Sequence, residues 1–363
     1  MAGSDAGPLN FEEESADAQN DSDDENNLEQ EDELLAEMAT RMHLQAAMAL
    51  IDEDEVDVFG GSVDKAPLVA ESQIDNVRIA QQYIHEISTA TYDNGGLDED
   101  VVERLRNPLE HEVDLSDPDV RLSLDIFLAC AQSSEATYNS ICDAIRQRFP
   151  NVEVLSHYLV KKALETLTGV VSVVDDMCIN SCHAFTGPFA NHTTCSECGE
   201  ARYNDGMPGL RPKARQQVCT IPLGPQIQAL RRSRNGAIAM HYRERKTQEI
   251  LEHLDGDQDP IYDDIFSGSN FLDFAECVQI GPNDTTVTFS LDGAQLYQSK
   301  KSDTWIAIWI INDYDPSTRY KKKHVLPALV IPGPNKPKNI DSFVYRSFHH
   351  LSALQRENEG NGL

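Results

Sequence analysis

Met177-Cys178-Ile179-Asn180-Ser181-Cys182 and, twelve residues after Cys182, Cys195-Ser196-Glu197-Cys198-Gly199 set four cysteines in a C-x3-C and a C-x2-C pair. Zinc takes four soft donors in a tetrahedron at ~2.3 Å, and two short knuckles facing each other across a loop deliver two thiolates each. Gly199 suits the left-handed turn that closes such a knuckle. Four thiolates fill the coordination sphere and leave no position for water, so Cys178, Cys182, Cys195 and Cys198 predict a structural Zn2+ site rather than a catalytic one. Two alternatives stay open. His183 or His192 could replace one thiolate, and Cys195 with Cys198 could form a redox pair, although that leaves Cys178 and Cys182 unexplained. Cys130, Cys142, Cys219 and Cys277 stand in apolar surroundings and are expected in the core.

On the N-terminal side of the cysteines the periodicity is helical from Gln73 to Val170, with expected helices at Ile74–Ala90, Val120–Cys130, Ser134–Phe149 and Val154–Leu167. The last two form either an α-hairpin or a helix-turn-helix with Arg146, Arg148, Lys161 and Lys162 on phosphates. Further upstream the composition changes. The chain has 363 residues with 61 acidic and 30 basic side chains, a net charge of −31. Met1 to Lys65 holds 20 of the acids against Arg41 and Lys65 alone, which predicts a disordered acidic tail. Within it Leu34 to Ile51 could form a short amphipathic helix for a partner, or only a transient one. The overall charge excludes a uniformly basic nucleic-acid coat. No apolar run reaches the ~20 residues of a membrane span, and Met1 to Asn20 lacks the pattern of a secretory signal, so an intracellular, non-membrane protein is expected.

Downstream of the cysteines, Gly206 to Gln248 carries Arg211, Lys213, Arg215, Arg231, Arg232, Arg234, Arg243, Arg245 and Lys246 against the single acid Glu244. Such a local surplus predicts a polyanion-binding strip, because Arg and Lys on phosphates release condensed counterions. The acidic tail folding back over the strip would serve the same charges. After Asp259-Pro260 the period becomes strand-like. Strands are expected at Asp284–Leu291, Thr304–Asn312 and Lys323–Ile331 as an antiparallel meander, followed by a helix at Ile340–Gln355. This order suits the opening half of a ribonuclease H-like domain, whose chemistry needs a carboxylate on its central first strand. Asp292, beside Gly293, is the candidate. An Asp-Gly hairpin turn is the competing explanation. Lys321-Lys322-Lys323-His324 with Lys336 and Lys338 forms a second basic patch, either for a DNA backbone or as the charged edge that keeps a strand from aggregating.

Four blocks carry a resemblance: Met177 to Phe189, Thr220 to Pro225, Leu291-Asp292-Gly293, and Ile331-Pro332-Gly333-Pro334-Asn335-Lys336-Pro337-Lys338-Asn339-Ile340-Asp341. Together, over about Leu122 to Gln355, the chain resembles the N-terminal half of CACTA-type (En/Spm-like) transposases, closest to the fungal Plavaka branch. The resemblance implies a DDE-type transposase on a ribonuclease H-like fold, with Asp292 as first catalytic carboxylate and Mg2+ or Mn2+ bound only in a complete active site. It also implies DNA, specifically transposon ends, as partner, self-association or an intact transposase as a further one, and a nuclear location. In relatives the second aspartate and the glutamate come later than Leu363, so this sequence is expected to bind DNA without cleaving it by itself. Asp303, Asp313, Asp315 and Asp341 are better explained as turn and cap residues. A zinc-knuckle protein-interaction module, regulating an intact transposase, is the alternative from a different class.

The expectation is therefore an α+β chain: acidic tail 1–72, helical region 73–170, zinc-binding module 171–205, basic helical linker 206–258 and partial ribonuclease H-like domain 259–363.

Overall fold

The structure is a computed structural model that describes residues 72–109, 114–204, 212–255, 262–295 and 303–357. The acidic tail with Leu34 to Ile51, and Arg211 of the basic strip, lie outside the described residues. The elements in chain order are α1 (Asp75–Ser88), α2 (Glu99–Arg106), α3 (Pro118–Ala129), α4 (Glu135–Arg148), α5 (His157–Thr168), β1 (Val173–Met177) and β2 (Gln216–Thr220). They continue with α6 (Leu223–Arg231), α7 (Arg234–Ala239), α8 (Tyr242–Asp255), α9 (Ser269–Val278), β3 (Val287–Gln295), β4 (Asp303–Ile311), α10 (Pro316–Arg319), β5 (Val325–Ile331) and α11 (Ile340–Glu357).

The four expected N-terminal helices all form, with α2 in addition. Three of their starts are capped as their sequences dictate: Asp117 accepts from the backbone of Asp119 and Val120, Ser134 from Thr137 and Ser156 from Leu159. Helices α3, α4 and α5 enclose their own small core of Leu124, Tyr138, Cys142, Val154 and Val160. Arg146 is paired with Asp143 and donates to Val154 O, and Lys162 reaches Glu165, so two of the four cations of the helix-turn-helix reading are engaged locally.

The expected meander is present, but it is part of a larger sheet. Five antiparallel strands run in the order β1-β2-β5-β4-β3. β1 and β2 fall in the segments expected as a separate zinc module and as a helical linker. Both segments instead contribute to the sheet, and the cysteines occupy an excursion between two paired strands. One sheet face packs on α11, with Phe289, Trp309 and Phe348 in contact at ring-centroid distances of 4.6 to 6.3 Å. Leu223 and Ile227 of α6 join the same core, and α1 docks on α11 through Tyr83, Phe189 and Tyr345. Alternation along β3 follows from this packing: Val287, Phe289 and Leu291 face the core while Thr288, Ser290 and Asp292 are exposed. No described helix is long and apolar enough to cross a membrane.

Candidate metal centre

β1 ends at Met177 and hands the chain straight to Cys178. The first knuckle closes through Cys178 N–H to His183 O (3.0 Å) and Ser181 N–H to Cys178 O (2.8 Å), with a bridge between Met177 and Ala184. Ser181 takes φ 56°, left-handed for a residue with a Cβ, and its hydroxyl donates to Pro332 O at 3.3 Å. The second knuckle repeats the design. Cys195 N–H donates to Glu200 O (2.8 Å) and Gly199 N–H to Cys195 O (2.9 Å), with Gly199 at φ 74° as its sequence position required.

The two knuckles bring the Sγ atoms of Cys178, Cys182, Cys195 and Cys198 all within 4.8 Å of one another, and Cys178 and Cys198 are 3.5 Å apart. A tetrahedron with ~2.3 Å metal–sulfur bonds has edges of about 3.8 Å, so the cluster has the right size. None of the four is in a disulfide. Cys178, Cys182 and Cys195 are buried, whereas Cys198 is exposed. Burial pushes the Cys182 thiol well up and the Cys195 thiol up to about 11. For Cys198 the effect of burial is outweighed by the Glu200 backbone and Asn180 amide hydrogen bonds, which bring it down to about 7. Dehydrated thiols of this kind persist as thiolates when a dication lies among them, and Zn2+ fits both the donor set and the spacing. Bound there, the metal would supply a cross-link between the knuckles.

His183 is not a fifth candidate ligand. It is fully buried, its Nδ1–H donates to Ala184 O (2.9 Å), and Nε2 accepts from Ser196 N–H (3.3 Å), which uses both nitrogens of a neutral ring. Burial lowers its pKa, in keeping with that form. The ring packs on Phe185 and Phe189 and joins one knuckle to the other. His192 is exposed and also lies outside the four-sulfur group.

Residues Pro332 to Asn339 form a clasp over the first knuckle. The backbone N–H groups of Lys338 and Asn339 both donate to Cys182 O (3.1 and 2.9 Å), and Asn335 Nδ2 donates to Asn180 O (3.2 Å). Ala184 N–H donates to Ser342 Oγ (2.9 Å), tying the knuckle to the first turn of α11. Lys336 Nζ lies 5.2 Å from the centre of the Trp305 ring. Trp305 in turn pairs across β4 with Gly293 on one side and Ile331 on the other. Arg202 fastens the second knuckle to β1 through Asp176 (2.7 Å) and to the loop before the knuckle through Ala190 O (2.6 Å). The sequence singled out the clasp segment as a resembling block without showing that it closes over the first knuckle, and Arg202 escaped the sequence reading, its only signal being its position four residues after Cys198.

The other expected sites fare differently. Asp292 lies on β3, which is the edge strand of the sheet and not an inner one, because nothing among the described residues pairs beyond it. Its carboxylate is exposed and accepts from Gly293 N–H at 2.7 Å. Among the described residues the only set of three or more potential metal ligands held together is the cysteine four. Asp292 by itself therefore does not fit a two-metal centre. Asp313 is buried between Arg243 and Thr286, Asp315 caps α10, Asp341 opens α11 and Asp303 starts β4.

The basic strip is not a continuous exposed surface. Arg243 and Lys246 are buried, Arg243 on Asp313 at 2.8 Å and Lys246 on Asp263 at 2.8 Å. Arg215 is paired with Glu200, Arg231 donates to Asn283 O, and Arg232 to Leu167 O. Lys213, Arg234 and Arg245 are exposed. The reason is topological: the segment threads through the sheet and its neighbours, and five of its eight described cations meet carboxylates or carbonyls there. Of the remaining cysteines, Cys142 is buried as expected, but Cys277 is exposed on α9.

No protein-family model, no curated protein and no solved structure matches this chain. What the geometry defines by itself is an α+β protein with a four-cysteine centre of zinc-binding type.

Proposed function

We propose that this chain is a zinc-stapled DNA-binding protein of the CACTA-type transposase class, engaging transposon ends in the nucleus and acting there with copies of itself or with an intact transposase. The observation that carries the reading is the meeting of three of the four resembling blocks at one end of the sheet. Met177 to Phe189 is clasped by Ile331 to Asp341, and Gly293 pairs with the Trp305 that lies under Lys336. Thr220 to Pro225 runs the other way, alongside β5 towards α6. Residues as far apart in sequence as Cys182 and Asn339 are hydrogen-bonded at the clasp end, as blocks serving one site would be. Among the described residues no further carboxylates gather with Asp292 as a Mg2+ or Mn2+ pair requires, so the function proposed is binding and no cleavage step is assigned to it.

A second reading, a zinc-knuckle module that binds proteins, is favoured by the internal engagement of Arg243 and Lys246. A salt titration of binding to duplex and single-stranded DNA by the zinc-loaded chain separates the two. Affinity falling steeply with salt supports the transposase-class reading, and absence of binding at low salt removes it in favour of the protein-binding module.

A further inference from the structure

The turn between β4 and β5 presents Tyr320, Lys321, Lys322 and Lys323, all exposed, with Tyr320 at 68%. Sequence alone allows two explanations for such lysines, an edge guard and a polyanion contact. β5 is an inner strand between β2 and β4, with β2 pairing only at Leu329 and Val330, and the lysines precede the strand and do not line its unpaired start. They neutralise no acid either: none of the three lysines has an ion-pair partner among the described residues.

The turn is also built to hold its shape. Arg319, only 2% exposed, is anchored on Asp264 at 2.9 and 3.0 Å and on the carbonyls of Asn312 and Tyr314. His324 donates through Nδ1 to Thr318 O (2.9 Å), and its ring stacks on Tyr314 at 4.4 Å. Lys321 N–H reaches Thr318 O, and His324 N–H reaches Lys321 O. Three lysines and an aromatic ring are thereby fixed on a rigid base. Flexible solvating lysines need no such support. The zinc centre lies at the opposite end of β5, about 23 Å away for seven residues of strand, so this surface is separate from the cysteine cluster.

We propose that Tyr320 to Lys323 is the nucleic-acid contact surface: the lysines hold successive phosphates and Tyr320 stacks on an unpaired base. The inference rests on the DNA-binding reading above and gives it a location. Fluorescence anisotropy of a mixed-sequence 20-nucleotide single strand, titrated with the full zinc-loaded chain at several salt concentrations, tests it.

The variant K321Q/K322Q/K323Q should lower the salt slope by about 2, since each lost single-strand phosphate contact removes ~0.7, and weaken binding at least tenfold. Tyr320→Ala should weaken single-strand binding by roughly 5- to 100-fold, with less effect on the duplex. Arg121→Gln, which removes an exposed charge on α3, should bind like the parent. A parent that binds while the triple variant keeps its slope overturns the location and leaves the DNA reading standing. A parent that does not bind overturns both. Loss of binding in Arg121→Gln, or binding of phosphatidylserine vesicles in place of the oligonucleotide through the same lysines, also overturns the proposal.

Discussion

Cys198 differs from its three partners in being exposed, and the exposure gives the centre its point of attack. Replacing Cys195 or Cys198 by Ser removes one of four soft donors, and bound zinc should fall from about one per chain to a small fraction, measured by elemental analysis after reducing purification. His183→Gln is the opposite case. The ring supports both knuckles but donates no ligand atom, so zinc should stay near one per chain while the fold loses about 1–3 kcal/mol from the unpaired Ser196 N–H and the lost packing. Denaturant titration of the loaded protein reads that difference. A loss of zinc in His183→Gln would return the histidine to the coordination sphere.

The clasp and α11 are the elements that turn two knuckles into a fixed centre. Ser342 is fully buried; its hydroxyl accepts from Ala184 N–H and donates to Asn339 O. Ser342→Ala should cost about 1–3 kcal/mol through the orphaned Ala184 amide and make zinc easier to remove with a competing chelator. A variant with unchanged stability and unchanged chelator resistance would deny the clasp its role. A second stitch is the buried Arg243–Asp313 pair, and Arg243→Ala should cost about 3–5 kcal/mol because Asp313 is left charged, buried and short of a partner.

How far these elements were legible differs from one to the next. The cysteine four was readable because thiolates at knuckle spacing have few other uses; β3 was readable because Val287, Phe289 and Leu291 alternate with Thr288, Ser290 and Asp292, and β4 and β5 because their runs are rich in Ile, Trp, Val and Leu. β1 was not, since Val173–Met177 contains Asp175 and Asp176. Their acidity is explained only by partners distant in sequence, Arg346 for one and Arg202 for the other. β2 reads Gln-Gln-Val-Cys-Thr, too short and polar for a period of two. Charge was the least legible feature: Arg243 and Arg245 look alike in sequence, and only the fold shows that one is buried on Asp313 and the other exposed.

For the whole molecule, the helical N-terminal segment, the sheet and α11 share one consequence of burial. His349 and His350 sit side by side on the buried side of α11; burial, helped by Arg346 for the first and by His349 for the second, lowers both to about 4. The unfolded chain takes up protons on these residues near pH 6.5, and the native chain does so only near 4. Their contribution to stability is therefore complete above pH 6.5 and declines as the pH falls towards 4, by up to about 2.7 kcal/mol per pH unit for the two together. Denaturant midpoints measured from pH 7 to 4.5 should fall, and a variant H349Q/H350Q should show a flatter profile. The cysteine centre is what joins the β1–β2 excursion, the clasp and α11 into this single body, and zinc K-edge X-ray absorption on the intact chain tests that claim most directly. The account predicts about one zinc per chain with four sulfur neighbours at ~2.3 Å. A first shell containing nitrogen or oxygen, or a reduced protein that carries no zinc, would contradict it.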